Sequence, residues 1–96
     1  MSIPLNESEI ERFLLELPGW KCVDEKLVKT YEFEDFRKAM EFVIRVFEIA
    51  DKADHHPEIF NCFNRVELGL NTHDAGGKVT EKDTGLARLI EERSVF

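Results

Sequence analysis

Three histidines, His55, His56 and His73, are the side chains of this 96-residue chain whose ordinary ionisation falls nearest neutral pH, and all three lie between Asp51 and Asp83. Any proton transfer the chain performs is expected there, because a general acid or base works best when its proton exchanges near the working pH. His55 falls at the end of a predicted helix, with Asp51 one helical turn earlier and Asp54 adjacent; the helix dipole and both carboxylates favour an imidazolium. His73 follows at the far end of the next predicted strand, and an antiparallel path would return it to His55.

Taken singly, a surface histidine is most often only a solvated residue, so the chemistry rests on the three converging. Three histidines could also bind zinc. Here His55 and His56 are adjacent and diverge, and no pair has the i, i+4 spacing of helical ligands, so no metal is expected. Asp83 reads equally well as a helix-capping carboxylate and as catalytic support. Trp20 reads more readily as core than as a ligand platform, and Cys22 and Cys62 read as small buried hydrophobes.

The elements that must position these residues follow from spacing. Asn6 with Glu9 forms a reciprocal capping pattern, and Ile10, Phe13, Leu14 and Leu17 continue it as a helix from about Glu7 to Glu16. Pro18-Gly19 ends that helix. Trp20 to Val23 and Leu27 to Phe33 then read as a hairpin turning at Asp24-Glu25, with Leu27, Lys29, Tyr31 and Phe33 on one face. From about Glu34 to Ala53 the period is helical. Pro57 disfavours helix at His56, so the helix ends by Asp54. Phe60 to Thr72 alternates as one long strand, a loop runs from His73 to Gly77, and Thr80 with Asp83 caps a last helix carrying Leu86, Ala87, Leu89 and Ile90. This order predicts an α+β domain, an antiparallel sheet with helices on one face.

The long helix carries more apolar surface than one sheet requires. Beside the stripe Phe36, Ala39, Met40, Val43, Phe47 and Ala50 runs a second row, Phe42, Val46, Ile49 and Ala53. A second copy of the chain is expected to cover that second row; the alternative is that the first and last helices of the same chain cover it.

Composition bounds the rest. With 43% hydrophobic residues and eight Phe, the chain has material for one core and one domain, residues 1–96. A formal charge of -7 and no basic cluster argue against direct nucleic-acid binding. Two cysteines are too few for a disulfide framework, and neither a signal peptide nor a membrane-spanning run is visible, so a cytoplasmic protein with no membrane partner is expected.

Asp51 followed by His55-His56-Pro57, then Glu58, Phe60-Asn61, Asn64, Val66, Leu70, Thr72-His73, Gly77, Thr80, Asp83 and Leu86-Ala87, resembles the signature of the pterin-4a-carbinolamine dehydratases. The likeness extends upstream through Gly19-Trp20, Phe33, Asp35-Phe36, Ala39, Phe42 and Arg45-Val46, so it covers nearly the whole chain. It implies a four-stranded antiparallel sheet with helices packed on one face, assembling as homodimers or homotetramers. It also implies dehydration of a 4a-hydroxytetrahydropterin to the quinonoid dihydropterin, in tetrahydrobiopterin regeneration, with no cofactor and no metal. By position, His55 and His73 match the family's acid/base histidines, His56 a substrate-contacting one and Asp51 the acidic position that helps fix the pterin. Asp54, Pro57, Asn71, Thr72, Asp74 and Trp20 are expected to complete the substrate site, with Asp83 supporting it.

The sequence departs from the family pattern at Phe63, where Tyr or Trp is frequent, at Ile59, where Trp is common, and at Lys78-Val79, which adds a residue before Thr80. Two other readings stand beside the dehydratase: a non-catalytic binding protein, since family members also serve as a dimerisation partner of a transcription factor, and a metal-dependent hydrolase. Three intact histidines favour the first reading, and the lack of chelating spacing disfavours the last.

Overall fold

Local hydrogen bonding sets most element boundaries in the computed structural model, which describes residues 2–94. Helix α1 (Glu7–Glu16) starts at Asn6, whose side chain accepts from the Glu9 N–H at 2.9 Å while the Glu9 carboxylate accepts from the Asn6 N–H at 2.8 Å. Strands β1 (Lys21–Val23) and β2 (Lys26–Glu32) form the expected hairpin. Its turn holds Asp24 and Glu25 at φ of 50° and 63°, a conformation whose twist matches the flanking strands. Helix α2 (Phe36–Ala53) is capped by Asp35, which accepts from the Lys38 N–H at 2.9 Å.

The single long strand expected from Phe60 to Thr72 is instead a hairpin, β3 (Glu58–Cys62) and β4 (Arg65–Leu70). Phe63 sits at φ 53° in a two-residue turn with no Gly or Pro to mark it, and a two-residue loop leaves the alternation of apolar positions uninterrupted. Asparagines hold the turn. Asn61 Nδ2 donates to the carbonyls of Phe63 at 3.2 Å and Arg65 at 3.0 Å, and Asn64 Nδ2 donates to the Phe33 carbonyl at 2.9 Å.

The four strands form one antiparallel sheet in the order β1-β2-β4-β3. Register places Leu27 opposite Leu70, Tyr31 opposite Val66 and Ile59 opposite Leu68 on the inner face, where the helices pack. Helix α3 (Glu81–Arg93) contributes Leu86, Ala87 and Ile90 to the same core. It is tied to α1 by Arg88, which donates to Glu16 at 2.6 and 3.0 Å, and to β2 by Glu91, which accepts from Lys29 at 2.9 Å and from the Tyr31 hydroxyl at 2.5 Å. Burial pushes the Glu91 carboxyl up, but these donors outweigh it and hold the group below the usual carboxylate range. The Tyr31 hydroxyl is pushed up, by burial first and then by Glu91.

Two expectations are corrected. The row expected to face a second copy is core: Phe42, Val46 and Ile49 are 2%, 0% and 6% exposed within one chain. The sheet and α3 take these three because they continue the Ala39 and Ala50 positions; Ala53, the last of the row, is exposed, as are Phe36, Ile44 and Phe47, at 49%, 49% and 59%. The cysteines are also exposed, because Cys22 lies on edge strand β1 and Cys62 at the end of edge strand β3 on the face away from the helices. Among the described residues, no helix is long and apolar enough to cross a membrane.

Candidate active site

Helix α2 ends at Asp54, which adopts the left-handed conformation (φ 52°) and turns the chain off the helix axis. The His55 N–H then caps the helix by donating to the Ala50 carbonyl at 3.2 Å. Strand β3 carries the chain away from His56 and β4 brings it back, so the return of His73 toward His55 is made by the β3–β4 hairpin and not by one long strand. After β4, the Thr72 N–H donates to the Lys78 carbonyl at 2.9 Å, and the Thr72 carbonyl accepts from Ala75 at 3.1 Å and Gly77 at 3.0 Å. These bonds fold His73–Ala75 into a single 3₁₀ turn.

The result is a cavity of about 270 Å³ lined by Asp54, His55, His56, Asn71, Thr72, His73, Asp74 and Lys82. That is near the roughly 300 Å³ lower bound of small-molecule sites. A larger cleft, about 470 Å³, lies alongside between the N-terminal segment and the start of α3; Lys82 lies on both walls, but no histidine lines it. Among the described residues, no three His, Cys, Asp or Glu side chains converge to hold a metal ion.

Asp83 lies beneath the cavity and is fully buried. Its Oδ1 is 2.6 Å from His55 Nε2, while Oδ2 accepts from the Thr80 N–H at 2.9 Å and from the Thr72 hydroxyl at 2.8 Å. The helix cap and the contact with His55 are thus made by two separate oxygens of Asp83. With donors already on Oδ2, an ionised carboxylate accepting a third proton from Nε2–H satisfies every group. Nδ1 has no partner among the described residues and is not enclosed, so it is the ring nitrogen left for a reacting atom.

Not every expected site residue comes to this cavity. Asp51 is exposed and lines a separate cleft with Arg45, Glu48 and Arg93. Its i, i+4 relation to His55 would hold only in a continuing helix, and Asp54 breaks it. Trp20, 4% exposed, is in the core, and Pro57 is half-buried at the start of the sheet; neither lines the cavity. Thr72 lines it, but it is 2% exposed and its hydroxyl is used inside the protein. Lys82 was not anticipated, although the Thr80–Asp83 capping box places it at the second helical position, at the cavity's edge. Its ammonium is 3.9 Å from Asp74, the nearest charge to balance it.

Comparison with known proteins shows the family. Residues 3–93 match the family described as Pterin 4 alpha carbinolamine dehydratase. The chain is 50% identical over 88 residues to a candidate pterin-4-alpha-carbinolamine dehydratase of Thermomicrobium roseum, covering 92% of this chain and 94% of the relative. It is 48% identical over 90 residues to one of Opitutus terrae, covering 94% and 93%. A crystal structure from Brucella melitensis, described as a transcriptional coactivator/pterin dehydratase, superposes with a TM-score of 0.88 at 39% identity, covering 96% of this chain and 99% of the other. The chain therefore belongs to the pterin 4 alpha carbinolamine dehydratase family.

Proposed function

We propose that this protein dehydrates a 4a-hydroxytetrahydropterin to the quinonoid dihydropterin and water, serving regeneration of a tetrahydropterin cofactor. The observation that supports this reading most is the gathering of three imidazoles at one cavity, with His55 backed by a buried carboxylate at 2.6 Å. The elimination breaks the C4a–O bond, removes the N5 proton and forms the C4a=N5 double bond. It needs an acid at the departing hydroxyl and a base at N5. His55 suits the base, because Asp83 stabilises the imidazolium formed when Nδ1 takes the proton. His73, exposed and with no side-chain bond among the described residues, suits the acid. His56, Asn71 and Asp74 line the remaining wall and are assigned to the pterin's polar edge. Asp51 is given no part.

The test is loss of the 4a-hydroxypterin absorbance when the purified protein is added to a hydroxylase reaction that generates it. His55→Ala and His73→Ala should each lower turnover about a hundredfold or more. His56→Ala should act mainly on substrate affinity. Near-wild-type turnover in both the His55 and His73 variants, with the fold intact, would refute the assignment.

A further inference from the structure

Thr72 sits where the two proposed proton-transfer histidines are held together. Its backbone closes the turn that carries His73, through bonds of 2.9 Å to the Lys78 carbonyl and 3.0 Å from the Gly77 N–H. Its hydroxyl is buried against Asp83 Oδ2 at 2.8 Å and Thr80 Oγ1 at 2.7 Å. Each hydroxyl has one proton. An ionised Asp83 has none, so Thr72 donates to Asp83 and must accept from Thr80, whose own oxygen accepts from the Lys82 N–H at 3.2 Å. The bonds therefore run in one direction: Thr80 hydroxyl to Thr72, Thr72 to Asp83 Oδ2, with His55 Nε2–H on Oδ1.

We infer that Thr72 is a positioning residue: its hydroxyl keeps Asp83 an acceptor toward His55, fixes the Nε2–H tautomer, and so makes Nδ1 the proton-exchanging atom. The inference rests on the dehydratase reading for its catalytic consequence, but the tautomer itself is a property of the free protein. Without the hydroxyl, Oδ2 loses a donor and Thr80 loses its acceptor. The Thr80 hydroxyl is then free to turn, and Asp83, with one donor fewer on Oδ2, can take up a proton from solvent on Oδ1, which would make His55 Nε2 the acceptor and leave the ring proton on Nδ1. Outer groups that set an imidazole's tautomer matter because the tautomer decides whether the reactive nitrogen carries a lone pair or a proton.

Ring ¹⁵N NMR of His55 tests this on the wild-type protein and on Thr72→Val and Thr72→Ser. In the wild type at a pH where the ring is neutral, Nε2 should carry the proton and Nδ1 the lone pair; the reverse overturns the proposal without any variant. Thr72→Val should give a mixture of tautomers and lower turnover about tenfold to a hundredfold with little change in KM. Thr72→Ser, which keeps the hydroxyl, should restore both. A Thr72→Val protein with one tautomer and unchanged turnover would overturn the proposal, as would a Thr72→Ser protein that is folded but no better than Thr72→Val. If no variant, nor the wild type, dehydrates pterin, the tautomer result still stands or falls alone, so the two readings fail separately.

Discussion

Replacing Asp83 by Asn separates the carboxylate's charge from its shape. The amide oxygen can take the place of Oδ2 and still accept from the Thr80 N–H and the Thr72 hydroxyl, now 2.9 and 2.8 Å away. The amide NH₂ then falls where Oδ1 stands, 2.6 Å from His55 Nε2. A donor facing Nε2 compels that nitrogen to accept, so the ring proton moves to Nδ1 and the base presents a proton where it should present a lone pair. Turnover should fall on the order of 10²–10⁴-fold; four powers of ten is the loss known for the equivalent exchange behind a catalytic histidine in a serine protease. Stability should fall far less, by about 1–2 kcal/mol, because two of the three hydrogen bonds are kept and the third is replaced by a neutral one of opposite direction.

Asp83→Ala is the contrasting case, since it leaves three donors unmet at roughly 1–3 kcal/mol each, a loss comparable with the whole stability of a small domain at about 5–15 kcal/mol. The assay is turnover of 4a-hydroxypterin beside a thermal melt and His55 ring ¹⁵N shifts. An Asp83→Asn protein that melts near the wild type and turns over within about threefold of it would refute the tautomer argument.

Two further predictions follow from the scaffold. Because the folded-state value of Glu91 is depressed, its contribution to stability is present above the unfolded carboxylate range and is lost as pH falls through the folded value. Melting temperature should therefore drop on acidification, and Glu91→Gln, less stable than wild type at neutral pH, should show a smaller drop over the same acid range. On the outer face of α2, Phe47→Asp should leave the fold intact while weakening any self-association, since Phe47 is 59% exposed; Phe42→Asp should unfold the chain, since Phe42 is 2% exposed. Light scattering with circular dichroism distinguishes the two outcomes, and a Phe47→Asp protein with unchanged mass would show that this face is not where copies of the chain meet.

What was legible in the sequence was local. Asn6 with Glu9, and Thr80 with Asp83, are contacts three residues apart, so the starts of α1 and α3 could be read without knowing what either helix packs on. The end of α2 before Pro57 and the Asp24-Glu25 turn are local in the same way. The spacing of His55, His56 and His73 marked a candidate site, whose three histidines line one cavity, and, by resemblance, a family. Tertiary structure decided what depends on distant partners. Two apolar rows on α2 are equally helical in period, and only the position of the sheet and α3 selects Phe42, Val46 and Ile49 for the core. The Phe63 turn carries no Gly or Pro, so the β3–β4 hairpin that returns His73 was hidden inside an unbroken alternation. Asp51 lost its link to His55 when Asp54 adopted a left-handed conformation, and Thr72 passed from a substrate contact to an internal donor once α3 brought Asp83 beneath it. Hydrogen-bond partners 11 and 28 residues apart, as Thr72 and His55 are from Asp83, have no periodicity along the chain, so only the fold could pair them.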